Sequence, residues 1–237
     1  MSIRILQTND FHGTLTPSKA DQIQPLRDQV DFYFDCGDSI KAGNLAIPLK
    51  PDAVWPVLES LRCTASVLGN RETHVIEKAF QMKIKGAAHP ILCANLHDKQ
   101  GVYPLARTLV LDHPDGKVGV VGIMVPMVTE KMATRSASSY LWDPAIPTAV
   151  QLGEQLRTEV DFLIALTHIG YVQDKKLAEA TPLFDLILGG HSHTVLQEPT
   201  IIGKTAICQA GSHGRYGAII QWSKAKGLED YRLESLG

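Results

Sequence analysis

The segment Gly189-Gly190-His191-Ser192-His193 constrains this chain more than any other. It follows the apolar run Phe184 to Leu188, which reads as a buried strand. Two glycines let the backbone turn sharply where that strand ends. The two histidines then lie in a loop at the carboxyl end of a strand, where ligands gather in open α/β sheets. Imidazoles so close together point to a metal site, and its other ligands are expected at other strand ends.

Those ends are legible. Residues 3–8 alternate and deliver Asn9-Asp10-Phe11-His12-Gly13, and residues 31–35 read as a buried strand ending at Cys36-Gly37-Asp38. Residues 65–68 form a short strand ending at Gly69-Asn70-Arg71-Glu72, residues 90–94 one ending at Asn95, and residues 161–166 one ending at Thr167-His168-Ile169-Gly170. Apolar spacing predicts helices over 51–61, 72–85, 145–160 and 175–180, with Gly86 stopping the second. Asp115-Gly116 marks a hairpin between 107–111 and 118–124. Residues 129–143 are polar without a clear period and read as a surface loop, and alternating strands follow at 200–209, 217–223 and 228–234. Alternating elements early and hairpins late predict an α/β fold, two mixed sheets packed together with helices outside. No linker or repeat divides residues 1–237, so a single domain is expected.

Composition narrows the function. With 44% hydrophobic and 20% charged residues the chain can bury an ordinary core. A net charge of −2 and no basic run argue against a nucleic-acid polymer as partner, though not against a small anionic substrate. No apolar stretch is long enough for a membrane span. Met1 leads at once into strand-like residues, so no signal peptide is expected. Cys36, Cys63, Cys93 and Cys208 are scattered in apolar runs, so a reduced, cytoplasmic protein is expected.

Singly, each polar residue at a strand end is a weak signal. Jointly, Asp10, His12, Asp38, Asn70, His168, His191 and His193 would line one rim of the sheet. Oxygen and nitrogen donors of this kind suit manganese, iron or zinc, manganese first. They are too many for one ordinary site, and two metals bridged by a carboxylate suit phosphoester hydrolysis. Asp38, alone on a central strand end, is the natural bridge.

Together the motifs Asn9-Asp10-Phe11-His12-Gly13, Gly37-Asp38, Gly69-Asn70, Thr167-His168-Ile169-Gly170 and Gly189-Gly190-His191-Ser192-His193-Thr194 resemble the signature of the calcineurin-like metallophosphoesterases. Ala94-Asn95-Leu96 and Gln209-Ala210-Gly211-Ser212 are similar to the branch containing the catalytic domain of bacterial 5′-nucleotidases. The resemblance implies a four-layer α/β/β/α sandwich with a dinuclear centre. It implies that Asp10, His12 and His193 bind one metal, that Asn70, His168 and His191 bind a second, and that Asp38 bridges them. The implied activity is hydrolysis of a small phosphomonoester, plausibly a nucleotide. The alternatives are a phosphodiesterase for cyclic or dinucleotide substrates, and a metal- or nucleotide-binding domain without turnover.

The sequence departs from that signature at two adjoining places. Arg71 stands where the family has a histidine, and His74 where the 5′-nucleotidases have its aspartate partner. Arginine matches phosphate geometry but gives up no proton. If both residues lie on one helix, Arg71 would stabilise phosphoryl charge and His74 would supply the proton. No counterpart of the nucleoside-gripping domain of the 5′-nucleotidases is expected within residues 1–237, so specificity is expected from residues 40–50 and 126–143 or from a partner subunit. Asn95, His213 and Arg215 are candidate substrate contacts, and Tyr140, Trp142 and Tyr171 are candidates to stack on a base.

Overall fold

A computed structural model describes residues 1–237. In chain order the elements are β1 (Ser2–Thr8), α1 (Pro17–Arg27), β2 (Phe32–Asp35), α2 (Val54–Ser60), β3 (Ala65–Val67), α3 (Glu77–Ile84), β4 (Ile91–Leu92) and β5 (Leu96–Asp98). The hairpin β6 (Thr108–His113) and β7 (Gly116–Met124) follows, then β8 (Tyr140–Trp142), α4 (Ala145–Arg157), β9 (Phe162–His168), α5 (Tyr171–Ala180) and β10 (Leu186–Leu188). The chain closes with β11 (Thr200–Ile202), β12 (Thr205–Cys208), β13 (Tyr216–Ser223) and β14 (Gly227–Ser235).

Two six-stranded sheets form, ordered β14-β13-β1-β2-β3-β4 and β11-β12-β10-β9-β7-β6. Within the first, β1 through β4 are parallel and β13 and β14 antiparallel. In the second, β7, β9, β10 and β12 are parallel, with antiparallel edges. Both faces of the central strands are buried. Along β9, Phe162, Ile164 and Leu166 pack between the sheets, while Leu163 and Ala165 pack against α4 and α5. This two-sided burial is why β9 reads as a continuous apolar run rather than an alternating one. A third core joins the outer face of the first sheet, through Leu6, Tyr33 and Ile219, to Ala20 and Ile23 of α1 and to Trp55 and Leu58 of α2. Each fully buried Leu or Ile in these layers contributes roughly 1.5–3 kcal/mol.

Three expectations need correction. Residues 129–143 are not simply a surface loop: Tyr140–Trp142 is a buried strand pairing with Leu96–Asp98, and Tyr140 packs edge-on to Phe80. The helix expected from residue 72 starts at Glu77, because the intervening side chains satisfy backbone amides in a turn. The helix expected from residue 175 starts at Tyr171, directly after Gly170 at φ 85°. No helix is long and apolar enough to cross a membrane.

Candidate metal centre

The loops after β1, β2, β3, β9 and β10 meet at the carboxyl ends of the parallel strands. Backbone bonds lace the first two together: Asp10 N donates to Gly37 O (3.0 Å), His12 N to Asp38 O (2.8 Å) and Gly13 N to Ser39 O (2.9 Å). The third loop is drawn in by Glu72, whose buried carboxylate accepts from the amides of Asp38, Ser39, Ile40 and Gly69 at 2.8–3.1 Å. Burial and the neighbouring Asp38 push its pKa up to about 7, while the amide donors pull the other way. Gly69 must be glycine, since a Cβ there would collide with Asp38 and with the Glu72 carboxylate. A Cβ on Gly190 would lie 2.7 Å from the Cys36 carbonyl oxygen.

Seven non-glycine residues have positive φ, and six are Asp10, His12, Asp38, His191, His193 and His213. The left-handed region is uncommon outside glycine, though Asn, Asp and His enter it most readily. Strained backbone of this kind concentrates at functional sites. Here it turns five of the seven expected donors towards one point.

There, Asp10 Oδ1 lies 3.4 Å from His193 Nε2 and 3.8 Å from His12 Nε2. His12 and His193 approach Nε2 to Nε2 at 2.8 Å. Asp38 stands between the two halves of the cluster, 3.9 Å from His12 Nδ1 and 3.4 Å from His168 Nε2. The Asn70 Oδ1 atom lies 3.1 Å from His168 Nε2 and 2.8 Å from His191 Nδ1. The structure thus brings all seven residues together. The ligand atoms of Asp10, His12 and His193 lie within 4.8 Å of one another, as do those of Asp10, Asp38 and His168. Asp10 is therefore common to both groups, alongside the bridging position expected for Asp38.

The donor set fits divalent cations. Asp10 Oδ1 is buried without a hydrogen-bond partner, a costly state that an ion would relieve. Burial, then the Arg71 guanidinium, holds His12 down at about 4, so its ring is neutral and able to ligate at pH 7. Burial and then His168 lower His191 as well. For His168, burial acts downward but the Asp38 and Asp10 carboxylates outweigh it. The Asp10 carboxylate, 3.4 Å from its Nε2, raises His193. His168 Nδ1 donates to the Cys36 carbonyl at 2.7 Å, which turns Nε2 inward as the ligating atom.

Other candidates fare differently. Arg71 reaches the rim: its amide donates to Asp38 Oδ1 at 2.7 Å, its Nε is 3.9 Å from Asp38 Oδ2, and Nη1 donates to the Lys41 carbonyl. His74 lies three residues on. Its ring is buried and its Nδ1 accepts from the Ile76 amide at 2.9 Å, so it holds the turn before α3. The Asn95 amide is spent on Met124 and on the Asp143 carbonyl, so it is a strut rather than a substrate contact. His213 is exposed with its ring centroid 4.9 Å from that of His12, whereas Arg215 folds back onto Ser212. Tyr140 and Trp142 are buried, so neither is free to stack on a base, and the half-buried Tyr171 has its hydroxyl tied to Thr200. Sequence reasoning gave Glu72 no role, although it follows Asn70 and Arg71 in the same motif.

Among known proteins, the chain is 27% identical to human 5′-nucleotidase over 225 residues, covering 82% of this chain and 38% of that one. It is 22% identical over 234 residues to YunD, an uncharacterized metallophosphoesterase of Bacillus subtilis, covering 92% and 49% respectively. It spans less than half the length of these relatives. The solved 5′-nucleotidase precursor from Thermus thermophilus superimposes with a TM-score of 0.80 at 20% identity, over 99% of this chain and 54% of that one. The Bacillus subtilis calcineurin-like phosphoesterase YfkN superimposes with a TM-score of 0.76 at 23% identity, over 99% and 91%. At such identities the superpositions speak to the fold alone. No family model matches the chain.

Proposed function

For a chain whose homologues are metallophosphoesterases and 5′-nucleotidases, and which shares the fold of calcineurin-like phosphoesterases, we propose a metal-dependent phosphohydrolase acting on a small phosphomonoester, with nucleotides as the leading class. The convergence of Asp10, His12, Asp38, Asn70, His168, His191 and His193 on one rim carries this reading. The nucleotidase names of its relatives support the substrate class.

On this proposal Asp10, His12 and His193 hold one divalent cation, Asn70, His168 and His191 a second, and Asp38 both. Manganese, iron and zinc all accept such donors. Two such ions supply Lewis acidity towards phosphoryl oxygens and a nucleophile at neutral pH. The rest belongs to the protein. Asn9 donates to Asp10 Oδ2 at 2.8 Å and the Arg71 amide fixes Asp38 Oδ1, so the carboxylates are aimed before substrate arrives. Arg71 neutralises charge on the phosphoryl group through a guanidinium that stays protonated. His213, exposed beside His12, contacts the substrate at the open side. With Arg71 unable to give up a proton, substrates with stable leaving groups, aryl phosphates and phosphoanhydrides, react faster than alkyl phosphates.

The test starts from metal-free protein supplied with Mn²⁺, Zn²⁺ or Fe²⁺. Hydrolysis of 4-nitrophenyl phosphate is compared with that of bis(4-nitrophenyl) phosphate, with His191→Ala as control. Monoester cleavage lost in the variant supports the proposal. Preference for the diester replaces it with a phosphodiesterase, and metal binding without turnover of either ester replaces it with a binding domain.

A further inference from the structure

Lys83 lies on α3 and is 1% exposed, yet no carboxylate pairs with its ammonium. Its Nζ donates instead to four main-chain carbonyls, those of Gly43 (2.8 Å), Asn44 (2.9 Å), Arg71 (2.8 Å) and Thr73 (2.8 Å). An ammonium has three N–H donors, so this cage of oxygens more than saturates it. Burial lowers its pKa to about 8, while the carboxylates of Glu72 and Asp38 resist the fall, so it is a cation at neutral pH.

Burying a charge is expensive unless something compensates. The carbonyls come from two segments distant in sequence, the loop after β2 and the turn after β3. Both reach the candidate metal centre. From the first, the Asn44 side chain accepts from Asn70 Nδ2 at 2.9 Å, and the Lys41 carbonyl accepts from Arg71 Nη1 at 3.2 Å. From the second come Asn70 and Arg71 themselves. Asn70 Nδ2 donating to Asn44 leaves Oδ1 for His168 and His191. The lysine is thus the hub joining the two segments that aim one metal donor and one phosphate contact.

We propose that Lys83 is the positioning residue of the phosphate-facing turn: its ammonium, caged by the carbonyls of residues 43, 44, 71 and 73, sets the direction of the Arg71 guanidinium. This rests on the assignment of Arg71 made above. A lysine that merely stapled α3 in place would affect stability and nothing else.

The test is a double-mutant cycle on the full chain with Mn²⁺, combining Lys83→Met with Arg71→Ala and reading kcat/KM for 4-nitrophenyl phosphate. Lys83→Met is expected to lower kcat/KM about tenfold in the parent and less than threefold once Arg71 is gone, because no guanidinium is left to aim. Equal losses in both backgrounds overturn the proposal. Hydrogen exchange of the metal-free proteins gives a second readout. Amides of residues 42–45 and 70–74 are expected to exchange at least tenfold faster in Lys83→Met, with those of β1 and β9 unchanged. No local change overturns the proposal whatever the kinetics. If the parent cleaves no ester, the functional reading falls while exchange still decides the role of Lys83. If Lys83→Met does not fold, Lys83→Arg, which keeps the charge, carries the same cycle. Failure of both to fold overturns the proposal, since Lys83 would then serve the whole domain rather than one turn.

Discussion

His12 and His193 stand 181 positions apart in sequence, yet their Nε2 atoms are 2.8 Å apart, with the Asp10 carboxylate beside both. A cation bound among these atoms stabilises the folded chain. At a hundredfold excess over its Kd the gain is about 2.7 kcal/mol. In a domain of this size that raises Tm by roughly 5–10 °C. Thermal melts with Mn²⁺ and then with a chelator should show the rise and its reversal, and His193→Ala should weaken it. An unchanged Tm argues against the site.

Asp38 faces both halves of the cluster, within 3.9 Å of His12 and 3.4 Å of His168. Asp38→Asn keeps the shape and removes the charge. We expect kcat to fall by about 10²–10³-fold, the scale of losing a major electrostatic contact. Calorimetry should show weaker metal binding with the fold intact. Full activity in the variant would rule out a bridging role.

Arg71 and His74 should separate cleanly. Arg71→Ala should lower kcat/KM for monoesters by about tenfold or more, as expected for a lost guanidinium–phosphate contact. His74→Ala should leave the acidic limb of the pH–rate profile in place, because its ring is buried and tied to the Ile76 amide. It should instead cost about 1 kcal/mol of stability, like the loss of a cap. A shifted acidic limb would restore His74 as the proton donor.

The Glu72 carboxylate holds four amides from two loops. Glu72→Gln turns an NH₂ group towards some of them, leaving buried donors unpaired. Denaturant melts should show a loss of about 2–4 kcal/mol. Metal affinity should fall as well, because the amides of Asp38 and Gly69 are among those released.

Acid should destabilise the fold partly through His89. Its Nε2 meets the Ser66 hydroxyl at 3.0 Å, its Nδ1 is buried without a partner, and burial lowers its pKa to about 4. The unfolded chain takes up this proton near pH 6.5, whereas the folded chain resists until about pH 4. Stability is therefore unaffected above pH 6.5 and falls steadily between 6.5 and 4, by on the order of 3 kcal/mol. His89→Gln should flatten that part of the stability profile. An equal slope in parent and variant would exclude His89 as a source.

Strand ends were the legible part of this chain. An apolar run followed by glycine and a donor requires only local reading, which is why the seven rim residues and the two mixed sheets emerge from sequence. Glu72 was hidden because its partners are backbone amides of residues 38–40 and 69, which no side-chain pattern displays. The start of α3 was misplaced for the same reason: Glu72 and His74 bond main-chain amides and hold a turn where apolar spacing continued the helix. Tyr140–Trp142 was hidden by its brevity and its polar flanks, since three residues carry no period. Lys83 was hidden because only the fold brings the carbonyls of residues 43, 44, 71 and 73 to one point.

The left-handed backbone at Asp10, His12, Asp38, His191 and His193 also limits how this rim can drift. Glycine, asparagine, aspartate and histidine tolerate such a conformation, whereas Val, Ile and Thr do not. A descendant that lost its catalytic use could exchange Asp for Asn or His for Gly at these positions and keep its shape. Replacement by a β-branched residue would disturb the loops themselves. Decay of the chemistry would therefore leave a recognisable trail of small polar residues and glycines, with the framework still standing around them.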